Sequence, residues 1–155
     1  MYDVRTAWYN SNMDNLPDEQ SLRFVAILNN KVETGKLMNA LGHMAVGLGS
    51  FNNDGQMYFL EYRDKDGGIH PNISHFPFIV LKADNSSKIR EVRKEAIKRG
   101  ILFTDFTSTM TAGMSQEQLD RTKDTPEAEL EYCGICLFGQ TQDLREFTGK
   151  FSLFQ

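Results

Sequence analysis

Apolar residues recur along the chain in two rhythms. Phe24-Val25-Ala26-Ile27-Leu28 is an unbroken apolar run between polar neighbours, the pattern of a strand buried on both faces. Leu37, Leu41, Met44 and Leu48 then recur every three to four residues, which predicts a helix over 35–48 with one apolar stripe, closing at Gly47-Leu48-Gly49. Phe78-Ile79-Val80-Leu81-Lys82 after Pro77 is a second buried strand. Asp84-Asn85-Ser86-Ser87 offers caps for a helix through Arg99 that buries Ile89, Val92 and Ala96 and stops at Gly100. A strand over Ile101–Asp105 completes a right-handed β-α-β unit with parallel strands. Ser115 with Gln118 fits a capping box for a short helix. Glu129 to Phe138 reads as the last strand, and a final short helix begins near Thr141, uses Leu144 and Phe147, and stops at Gly149.

Between the first helix and Pro77 the pattern changes. Asn53-Asp54-Gly55 and Asp66-Gly67-Gly68 are turn signals around the strand-like Met57–Tyr62. Residues 51–77 are therefore expected to form a hairpin or an extended excursion, and as a hairpin they could extend an edge of the sheet. Strands alternating with helices predict an α/β fold, a three-layer α/β/α sandwich with a mixed sheet. Residues 1–22, with Pro17, read as an N-terminal arm before a single domain over 23–155. Tyr2, Trp8 and Tyr9 suit an arm packed on its own domain or on a dimer partner.

The 155-residue length allows one domain with a real core. No apolar run approaches the ~20 residues that span a bilayer, so no membrane association is expected. Met1-Tyr2-Asp3-Val4-Arg5 lacks a secretory h-region, and two cysteines make no disulfide framework, which together predict a cytoplasmic protein. The net charge of −4 argues against broad binding to nucleic acid.

Candidate chemistry gathers at the start of the first helix. Lys36, Asn39 and His43 are three and four residues apart and project from one face, just after a strand end where open α/β sheets bind ligands. Asp105 ends a strand that should run parallel to the first, which would bring it to the same edge. There an aspartate can orient water and a lysine can stabilise an oxyanion. The bland readings are a solvated Lys36, a turn-forming Asp105, a hydrogen-bonded structural His43 and an Asn39 that ties down the next loop. His70 and His75 flank Pro71 without a third ligand at metal spacing, so no metal or cofactor is expected. Cys133-Gly134-Ile135-Cys136 lies within a strand, where a three-residue offset sends the thiols to opposite faces and makes them structural. The helix bearing Lys88, Arg90, Arg93, Lys94, Lys98 and Arg99 also carries Glu91 and Glu95 and reads as a solvated face.

The order of these features resembles the type 2 peptidyl-tRNA hydrolases. Gly35, Lys36 and His43 match that family's glycine–lysine pair and the histidine seven residues on. Asp105 with Thr109 resembles its aspartate and following threonine, and Thr148-Gly149 its closing turn. The resemblance implies the hydrolase-like fold and a pocket with Lys36 and Asp105 as catalytic residues and Asn39, His43 and Thr109 as substrate-binding ones. Asn39 four residues before His43 resembles more closely the domain-of-unknown-function two thousand family, which shares that fold. Where the hydrolases carry a second lysine this chain has Thr34, and where they carry a glutamine it has Ala40. The Met110–Pro126 segment adds Glu117, Asp120 and Asp124. These departures imply little or no tRNA binding. The expectation is a metal-independent hydrolase of an ester or amide bond acting on an unknown small molecule or acyl substrate, with a homodimer as its assembly; the alternative is a non-catalytic small-ligand-binding or interaction protein on the same fold.

Overall fold

A computed structural model describes residues 16–155. The first fifteen residues, with the aromatic part of the expected arm, lie outside the described residues. Strand β1 (Leu22–Asn29) leads into helix α1 (Thr34–Gly49). A hairpin of β2 (Phe59–Arg63) and β3 (Ile69–Ser74) precedes β4 (Phe78–Ala83), α2 (Ser86–Arg99) and β5 (Leu102–Thr107). The chain continues through α3 (Ser115–Lys123), β6 (Tyr132–Gln140), α4 (Thr141–Thr148) and β7 (Ser152–Leu153).

The main sheet is mixed and five-stranded, in the order β5-β6-β1-β4-β7. β1 pairs parallel with β4 and antiparallel with β6, which pairs antiparallel with β5. β4 and β5 therefore run in the same direction, as expected of the unit around α2, but β1 and β6 lie between them. At the centre, β1 is buried on both faces, which is why its sequence is an unbroken apolar run. Phe24, Ala26 and Leu28 join Leu37, Ala40, Met44 and Leu48 of α1 in one core cluster. Val25 and Ile27 join Ile89, Val92 and Ala96 of α2 and Leu144 of α4 in the other. Burying aliphatic side chains contributes about 1.5–3 kcal/mol each, so these two clusters hold the helices to the sheet.

Local signals act largely as the sequence suggests. The Asn85 side chain accepts a hydrogen bond from the Lys88 amide at 3.0 Å and caps α2. Gly100 ends that helix at φ 65°, in the left-handed region that favours glycine. Two expectations change. The hairpin forms a separate two-stranded sheet, and β7 occupies the edge of β4. At α3 the capping residue is Met114, and the carboxylate that accepts its amide is Glu117, at 2.8 Å. Gln118 instead donates to the Gly113 carbonyl at 3.0 Å, because it sits one position too far along the first turn.

Candidate functional site

The end of β1 is fixed before α1 begins. Buried Asn29 donates through Nδ2 to the Tyr132 carbonyl at 3.1 Å and accepts the Lys31 amide through Oδ1 at 3.1 Å. This side chain ties the loop to β6 and sets where α1 starts. Leu37, Ala40, Met44 and Leu48 turn inward, which leaves Lys36, Asn39 and His43 exposed. No hydrogen bond or ion pair engages those three side chains among the described residues. His43 is held by a ring contact instead, stacked on Phe106 with centroids 5.8 Å apart and planes 24° apart.

Lys36 and Asp105 do not meet. Asp105 pairs across the strands with Ile135, whose side chain lies in the core beneath α2, so the carboxylate emerges on that face. There it accepts a hydrogen bond from Arg93 Nε at 2.7 Å. Burial acts against the Arg93 charge, but the bond to Asp105, with the negative charges of Asp105 and Glu127, outweighs it and holds the guanidinium above its usual pKa. Lys36 belongs to α1, on the opposite face. The expected sharing of a sheet edge holds for the strand direction and fails for the side chains, because alternation along β5 sends position 105 away from α1.

Thr109 is also engaged. It is buried, and its hydroxyl bonds those of Thr107 at 2.7 Å and Thr122 at 2.8 Å. Its carbonyl accepts from Arg121 at 3.2 Å, so the residue ties the short turn after β5 to α3. The two loop histidines have separate partners: His70 contacts Asp64 at 3.3 Å, and His75 contacts the Pro17 carbonyl at 2.7 Å. Among the described residues no three His, Cys, Asp or Glu side chains are grouped to hold a metal. No described helix is long and apolar enough to cross a membrane.

The family model for proteins of unknown function called DUF2000 matches residues 22–155, from the first residue of β1 onward. The chain belongs to this family. No curated protein matches it. Among solved structures, a protein of unknown function from Agrobacterium tumefaciens is similar at 16% identity and TM-score 0.75, covering 87% of this chain and 98% of that one. That likeness is one of fold.

In this DUF2000 domain the two cysteines depart from their expected arrangement. Both lie in the core cluster under α1. The register of β5 against β6 steps from Phe106↔Gly134 to Thr107↔Tyr132, so Cys133 is the extra residue of a bulge. A bulge breaks alternation, and the three-residue offset no longer separates the faces. Gly134 beside it sits in tight space: a Cβ there would lie 2.8 Å from Leu28 Cδ2 and 2.9 Å from Met44 Cε, so those side chains would have to shift. Burial raises the Cys133 thiol pKa, with the Lys36 charge acting against it. Cys136, deeper, is pushed up to about 12 by burial. Phe106 is thus the contact of the α1 constellation, and Cys133 lies within reach of the Lys36 charge. Sequence reasoning missed both as site residues; the only signal for Cys133 was its place in a glycine-containing strand, where bulges are favoured.

Proposed function

We propose that this DUF2000 domain is a non-catalytic interaction protein whose contact surface is the outward face of α1. The observation that carries this reading is the separation of Lys36 from Asp105, which leaves the lysine without the carboxylate that would orient an attacking water. The character of α1 supports it further. Lys36 is the single charged residue of this 16-residue helix, and Met38 and Val46 are 69% and 78% exposed. A helix apolar on most of its circumference is ordinarily covered. Exposed Gly42 has open space around it and would let another helix approach closely. The partner proposed is a second copy of the chain, since twofold dimers are the commonest assemblies. Sedimentation velocity at micromolar concentration should show a dimer for the wild type and a monomer for Val46→Glu. A wild-type monomer would overturn the choice of partner.

A hydrolase of ester or amide bonds is the second reading, favoured by the Lys36 charge felt at Cys133. Against it, Cys133 is 4% exposed and its thiol is held protonated by burial. A panel of ester and amide substrates tested on wild type, Lys36→Ala and Cys133→Ser separates the readings: turnover lost in both variants would establish the hydrolase. The type 2 peptidyl-tRNA hydrolase-like, three-layer architecture belongs to the same proposal, supported by helices packed on both faces of the sheet. So does a cytosolic location, which suits two free, buried thiols.

A further inference from the structure

At the other end of β1 from α1, the chain forms a second polar feature. A cavity of about 420 Å3 opens between Gln20-Ser21, just before β1, and the start of α4, where Gln140, Thr141, Gln142 and Arg145 line it. The Ser21 carbonyl accepts the Thr141 amide at 2.9 Å, so the two walls are joined. Arg23 stands behind this junction and donates through Nε to the Thr141 hydroxyl at 3.2 Å. Arg145 lies one helical turn along α4 from Thr141, so both guanidiniums flank that residue, and burial, then the Arg145 charge, lowers the Arg23 pKa.

These guanidinium groups differ from the other arginines of the sheet-covering helices. Arg90, Arg93 and Arg99 each face a carboxylate within 3.1 Å. Arg23 and Arg145 have no carboxylate partner among the described residues, although bringing like charges together costs free energy. A cavity beside two uncompensated guanidiniums, with side-chain amides on its rim and no aromatic wall, matches the chemistry of an oxyanion carried on a small polar molecule. Arginine pairs suit a phosphate because its oxygens accept several charge-assisted hydrogen bonds at once. A dianion also neutralises both cations, which one carboxylate does not.

We infer that this cavity binds a small phosphate monoester, with Arg145 in its wall holding the phosphoryl group, Arg23 adding its charge from behind Thr141, and the glutamine amides meeting the polar remainder. The site is separate from the α1 surface, and neither depends on the other. The ligand should bind best as its dianion, so affinity should fall as pH drops through its second pKa, about 6.

The test is calorimetric titration of the full chain with glycerol phosphate and, separately, inorganic phosphate, at fixed ionic strength. Wild type should bind saturably, with glycerol phosphate the tighter of the two. Arg145→Gln, an exposed position, should weaken binding about tenfold or more. Lys65→Gln, a remote exposed cation, should leave it unchanged. Absence of saturable binding, or equal losses in the two variants, would overturn the inference. Equal affinity for the two probes would also overturn it, by reducing the site to one for a free anion.

Discussion

The two faces of the sheet are covered by helices of opposite character. On one face the charges are engaged in a mesh of pairs. Arg90 meets Glu127, Arg93 meets Asp105, Arg99 meets both Glu95 and Glu146, and Lys150 reaches Glu91. The guanidiniums of Arg90, Arg93 and Arg99 also lie over the rings of Tyr132, Phe103 and Phe147. On the other face α1 contributes almost no charge, packs through apolar side chains and one hydrogen bond from the Thr104 hydroxyl to the Met44 carbonyl at 2.8 Å, and leaves Lys36, Asn39 and His43 exposed without hydrogen-bond partners among the described residues. Polar groups that are already paired position the fold, whereas unpaired ones remain free for a partner. Asp105 belongs to the first kind and Lys36 to the second.

The largest expected effect breaks the apolar face. Leu48 is fully buried beneath α1, and Leu48→Ala should cost about 2–5 kcal/mol in denaturant unfolding. In the monomer, at concentrations below the dimer dissociation constant, Met38→Ser and Val46→Ser on the outside of the same helix should stay within about 0.5 kcal/mol. Losses of similar size at buried and outward positions would mean that α1 is covered on both sides within one chain.

Alkaline pH probes the same face next. The folded Cys136 pKa is raised to about 12, so its stabilising contribution is complete below the unfolded thiol value and is lost as pH rises toward the folded one. Stability should therefore fall above about pH 8.5, by up to about 1.4 kcal/mol per pH unit from this thiol. Tyr132, also raised to about 12 by burial and its bond to Glu127, adds to the fall above about pH 10. Unfolding curves between pH 8 and pH 11 check this, and Cys136→Ala should flatten the earlier part. An unchanged slope in that variant would remove the thiol from the account.

A smaller effect sharpens the charged face. The Arg93 and Asp105 side chains are 29% and 16% exposed, and Arg93 also stacks on Phe103 at 5.6 Å. Arg93→Ala should cost about 1–3 kcal/mol because it leaves a mostly buried carboxylate without its donor. Thermal unfolding measures the loss, and a negligible one would mean that solvent already serves Asp105.

What the sequence disclosed follows from how local each signal is. The unbroken run of β1, the Asn85 cap, the inward residues of α2 and the Gly100 stop were legible because each depends on neighbouring residues. The direction of Asp105 was not, since Phe103 and Phe106 put apolar residues on both faces of β5 and the alternation has no polar side. The bulge at Cys133 arises from how β6 meets β5, which no single strand encodes. β7 is two residues long and carries no periodicity, so its capture of the β4 edge, and with it the separation of the hairpin, was invisible. At the site, the exposure of Lys36, Asn39 and His43 followed from helical spacing, while Phe106 and Cys133 came from distant segments.

The central claim is that the sheet divides Lys36 from Asp105. A double-mutant cycle on unfolding free energy, with Lys36→Ala, Asp105→Asn and the pair, measures it directly, and the Arg93–Asp105 cycle supplies the comparison. Lys36 and Asp105 should add independently within about 0.3–0.5 kcal/mol while Arg93 and Asp105 couple by more than that. A coupling of about 1 kcal/mol or more between Lys36 and Asp105 would contradict it and return the two residues to one site.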